Sequence, residues 1–71
     1  MAIIKKLISC DDTPQKRTAV LADYCYDRDF FQIRTYKEGD QTRSEGSKQS
    51  IQIDKDIAKV IIEKLKIFVN Q

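Results

Sequence analysis

The chain has 71 residues, 41% hydrophobic and 34% charged, with a formal net charge of +2, two cysteines and no histidine. One domain of that size buries only about 60% of the surface of its unfolded chain, so a lone copy is marginal and a partner subunit is expected. The absence of histidine excludes a Cys/His zinc site, and the near-neutral charge does not by itself select a polyanionic partner.

The first apolar run, "MAIIKKLIS", carries lysines inside it and lacks both a long apolar stretch and a small-residue cleavage site, so it does not read as a signal peptide. Residues 1–13 read as an N-terminal strand or arm of a single domain spanning 1–71, and Pro14 marks a turn after it. Apolar runs elsewhere are far shorter than the roughly 20 residues that cross a bilayer. The expected location is the cytoplasm, on the nucleoid, or the nucleus if the source is eukaryotic.

Residues 16–54 read as an antiparallel sheet. In "RTAVLADYCYDRD", Val20, Ala22, Tyr24 and Tyr26 alternate with Ala19, Leu21, Asp23 and Cys25, so neither side is cleanly apolar. Each of the two tyrosines is either a wall of the core or part of a platform for stacked bases, and at least one is expected in the core. Cys25 lies in an apolar-rich run, where a reduced thiol behaves as a small hydrophobe and is expected buried or half-buried; the spacing from Cys10 leaves a disulfide open.

The next strand, "RDFFQIRTYKEGD", directs Phe31 and Ile33 toward the core and sends Phe30, Gln32, Arg34 and Tyr36 to the other face. A polar connection, "KEGDQTRSEGSK", holds both glycines. The strand "KQSIQID" follows, with Ile51 and Ile53 on one side.

The last segment is the most strongly patterned. Ile57, Ile61, Leu65 and Phe68 recur at helical spacing, Asp54 suits an N-cap and Asp56 the first turn, which predicts a helix over about 55–69. Its apolar face is broader than one small sheet covers. Ile57, Ile61, Ile62, Leu65 and Phe68 are therefore expected at a homodimer interface.

Catalytic equipment is sparse, with no histidine, no phosphate-binding glycine loop and no nucleophile elbow. Acid pairs such as Asp27 with Asp29 read as solvating loop residues. The chain is thus expected to be no enzyme, with no cofactor, metal, small-molecule substrate or membrane partner. The mixed aromatic and guanidinium face of the third strand suits stacked bases and phosphates, although the same residue types also form cross-strand pairs with no ligand.

The run "FFQIRTYK", the charged loop, "GSKQSIQID" and the terminal amphipathic helix together resemble the positive-cofactor-four family of transcriptional coactivators, over about residues 16–68. The resemblance implies a curved antiparallel sheet of about four strands followed by one helix, dimerisation through the helix, and single-stranded nucleic acid on the sheet. Ile33, Arg34 and Tyr36 match the family's Ile-Arg-x-Tyr element, Arg28 a basic position at the strand's start, and Gly46 with Lys48 the cluster before the next strand. Ile51, Ile53 and Asp54 match the strand end and helix cap, and Lys16 and Arg17 basic positions of the first shared strand. Lys37 stands where the family places a stacking aromatic.

Together these readings give an α+β, non-catalytic protein that binds single-stranded DNA or RNA with little sequence preference, as a transcription or replication cofactor. Its expected contacts are Lys16, Arg17, Arg28, Arg34, Lys37, Arg43 and Lys48 on phosphate, with Phe30 and Tyr36 on bases. The alternative is a small protein-interaction module, such as a phage or plasmid regulator binding a protein partner. The acids Asp23, Asp27, Asp29, Glu38 and Asp40 near the proposed contacts favour that alternative.

Overall fold

The computed structural model describes residues 1–10, 12 and 18–71. It has an α+β fold in which four strands, β1 (Ala2–Ile3), β2 (Ala22–Tyr26), β3 (Phe31–Thr35) and β4 (Gln49–Ile53), precede one helix, α1 (Lys55–Val69). The sheet is open, with order β1-β4-β3-β2. β2 with β3 and β3 with β4 pair antiparallel, as expected.

β1 departs from the expected all-antiparallel sheet. It is only two residues long and runs parallel to β4, pairing Ala2 with Ile51 and Ile3 with Gln52. β1 and β2 stand at opposite edges of the sheet, so no hairpin between them imposes an antiparallel direction on β1.

Local chemistry places each turn. Asp27 Oδ1 accepts hydrogen bonds from the amides of Asp29 at 2.8 Å and Phe30 at 2.9 Å, and the Asp27 amide donates to the Phe30 carbonyl, closing a tight β2–β3 hairpin around Arg28 and Asp29. In the β3–β4 connection, buried Asp40 accepts from the amides of Ser44 and Glu45, each at 3.1 Å, and from the hydroxyls of Thr42 and Ser44. Within this loop Arg43 has φ 61°, a left-handed conformation that costs a side-chain-bearing residue free energy.

The helix spans the expected residues. Asp54 Oδ1 accepts from the Ile57 amide at 2.9 Å, satisfying one of the first-turn donors, and Asn70 closes the other end through its amide and side chain on the Lys66 carbonyl. It lies over the face carrying Ile51 and Ile53, leaving a groove of about 320 Å³ between sheet and helix. Phe31, Ile33, Ile51 and Ile53 line one wall, and Ala58, Ile61, Ile62 and Leu65 the other.

That groove is open, and little of the apolar surface is buried: among the described residues only Tyr36 and Ile53 form buried hydrophobic core. The accessible surface is 6579 Å², about 2,000 Å² above the ~4,600 Å² that a folded monomer of this mass exposes. The radius of gyration, 13.8 Å, likewise exceeds the ~11 Å of a compact domain of this length. Among the described residues no helix is long and apolar enough to cross a membrane.

Candidate nucleic-acid interface

The period of two along the strands, combined with their register, sorts the sheet into two faces. Tyr24, Ile33 and Ile51 lie opposite one another, as do Tyr26, Phe31 and Ile53, on the helix side. Both tyrosine rings stack on Phe31, with centroids 5.7 and 6.0 Å away, yet they stay 68% and 72% exposed. The expectation that at least one of them belongs to the core does not hold within this chain.

The other face is polar, and it is where the proposed ligand residues of β3 stand. Gln32 lies between Cys25 and Gln52. Gln32 Nε2 donates to Ser50 Oγ at 2.7 Å, and Gln52 Nε2 to Gln32 Oε1 at 3.5 Å. Phe30 stands at one end, half in solvent, and with Cys25, Asp27, Gln32 and Gln52 lines a shallow hollow of about 180 Å³. Cys25 is free and exposed on this polar face, not buried as expected, because its strand position sets it beside Gln32 and away from the apolar side. Cys10 is also free and exposed.

The far end of the same face is organised by Asp23, directly opposite Arg34. Arg34 donates from Nε to Oδ1 and from Nη2 to Oδ2, both at 2.8 Å, in a bidentate pair. Tyr36 Oη donates to Oδ2 at 2.6 Å and Arg43 Nη1 to the same oxygen at 3.1 Å. The Arg34 hydrogen bond first, then those of Tyr36 and Arg43, hold the Asp23 carboxyl far below the usual carboxylate range. Reciprocally, the bond to Asp23 pushes the Arg34 guanidinium and the Tyr36 phenol upward.

This arrangement sorts the expected ligand residues. Phe30 and Arg34 face outward as read, and Arg28 and Lys48 are exposed at the hairpin tip and before β4. Tyr36 is corrected: its ring is 5% exposed and its hydroxyl is spent on Asp23, so it offers no platform for a base. Arg43 shares Asp23 with Arg34, and Lys37 Nζ lies 3.7 Å from Glu45 Oε1. Lys16 and Arg17 lie outside the described residues.

Two features of the face are not legible in the sequence. The Gln32–Gln52–Ser50 ladder was visible as alternate polar positions, but which residues meet depends on register. The anchoring role of Asp23 had only a charge as its signal. No family model, curated protein or solved structure matches the chain.

Proposed function

We propose that the chain is a non-catalytic, single-stranded nucleic-acid-binding protein of the positive-cofactor-four type, working as a homodimer joined through the helix-side groove, with the polar sheet face as its ligand surface. The observation that carries the reading is the composition of that face: an exposed ring, Phe30, at one end, amide side chains between, and two guanidiniums around one carboxylate at the other. Two arginines against Asp23 leave one positive charge uncompensated there. A ring and a cation along one strand suit stacking and phosphate contact, and amides suit base edges.

The dimer reading rests on the open groove and the excess surface. Ile62 and Leu65 are each about half exposed, and a second copy of the helix would remove them from water. The role in the cell, as a transcription or replication cofactor, is part of the same proposal.

Fluorescence anisotropy with oligo-dT and with duplex DNA at two salt concentrations tests it. The single strand should bind and weaken steeply with salt, and Phe30→Ala should cost about 1–3 kcal/mol of affinity if a base stacks there. A second reading, a protein-interaction module, is favoured by the pairing of Arg34, Arg43 and Lys37 with acids. Absence of binding to either nucleic acid at low salt would decide for it.

A further inference from the structure

Four donors from three side chains converge on the two carboxylate oxygens of Asp23: Arg34 Nε and Nη2, Arg43 Nη1 and Tyr36 Oη. Such a cluster is an anion cradle, and guanidinium forks receive a phosphate with the same geometry as a carboxylate. Here the anion belongs to the chain itself. The donors are also graded. Arg34 makes two short bonds to its direct cross-strand partner, whereas Arg43 makes one longer bond and its side chain is 55% exposed.

Arg43 reaches the cradle from a loop that is costly to shape. Its φ of 61° is unfavourable for any residue with a side chain, and the loop around it is held by four hydrogen bonds to buried Asp40. The loop brings a second arginine, twenty residues along the chain, to a carboxylate that already holds Arg34.

Resting on the nucleic-acid reading above, we propose that Asp23 is a built-in competitor of the ligand: it occupies the place of a phosphate group between Arg34 and Arg43, and a phosphodiester binds by taking Arg43 from it. Asp23 thereby limits affinity while keeping both guanidiniums in position. Arg34, doubly bonded, stays with Asp23 and orients the cradle; Arg43 changes partner. No covalent step is involved, and the ligand class is any phosphate oxygen with a free edge.

The test compares oligo-dT binding by the wild type, Asp23→Asn, Arg43→Gln and the double variant. Asp23→Asn, shown folded by circular dichroism, should bind several-fold tighter with an unchanged salt slope, because Arg43 meets the same phosphate in both proteins and only its competitor is removed. Adding Arg43→Gln should abolish that gain. A folded Asp23→Asn that binds no tighter overturns the proposal. Should that variant fail to fold, the decision passes to Arg43→Gln alone. In the wild-type background it should weaken binding and flatten the slope by about 0.7, and unchanged binding overturns the proposal.

Failure of the function itself is distinguishable. A wild type that does not bind oligo-dT defeats the single-strand reading, and the same pairs of proteins are then titrated with inorganic pyrophosphate, following the guanidinium resonances by NMR. Tighter pyrophosphate binding by Asp23→Asn, or its loss in Arg43→Gln, still sustains the competitor. Equal behaviour up to tens of millimolar overturns it.

Discussion

Three aspartates do most of the local organisation, each by accepting several hydrogen bonds. Asp27 closes the β2–β3 turn, Asp40 shapes the loop after β3, and Asp23 gathers Arg34, Arg43 and Tyr36. All three have lowered pKa values in the folded chain: Asp27 through the Phe30 and Asp29 amides, Asp40 chiefly through the Glu45 amide, and Asp23 chiefly through Arg34. A depressed folded pKa contributes stability that is complete above the unfolded value, 3.8, and is lost as pH falls through the folded one. Thermal melts should therefore be flat from neutrality to about pH 5 and fall below about pH 4. Asp40→Asn should lower the melting temperature at neutral pH and reduce that acid slope. Tyr36→Phe should lower stability at neutral pH by removing the bond to Asp23, without touching the acid-sensitive bonds of Asp40.

At the scale of elements, α1 combines local signals that agree: an N-cap, an acid in the first turn, a lysine in the last and an apolar stripe. Asp54→Ala leaves the Ile57 amide without its side-chain partner and should cost about 0.5–2 kcal/mol, measured by urea denaturation. The sheet is less autonomous. β2, β3 and β4 are five residues each and β1 only two, so their order depends on the hairpin turn and on what covers the apolar face. Amide hydrogen exchange should accordingly be slowest in β3, which is paired on both sides, and fast in β1.

For the whole molecule the governing quantity is uncovered surface, which includes exposed Ile62, Leu65 and Phe68 of the helix. An excess of about 2,000 Å² over a typical monomer is close to what one side of a large obligate dimer interface conceals. On the homodimer reading the chain should sediment as a dimer at micromolar concentration, and Leu65→Glu should shift it to monomer and lower its melting temperature. A wild type that sediments as a stable monomer would refute the dimer. On the nucleic-acid reading, dissociation should also weaken binding, since two sheet faces held together raise the effective concentration of the second contact.

What the sequence by itself determined is what local chemistry determines. The bounds of α1, its Asp54 cap, and the division of β3 into Phe31 and Ile33 on one side and Phe30 and Arg34 on the other all follow from periods of 3.6 and 2 read within a few residues. Only the tertiary structure decided the parallel direction of β1, the meeting of Asp23 with Arg34 and Arg43, and the burial of Tyr36. Each of these joins positions far apart in the chain, where alternation says which face a side chain takes but not what stands opposite. Tyr36 shows the difference most clearly: period two places it on the outer face, and the pairing of its hydroxyl with Asp23 and the return of Arg43 to the same carboxylate turn an expected platform for bases into part of the scaffold.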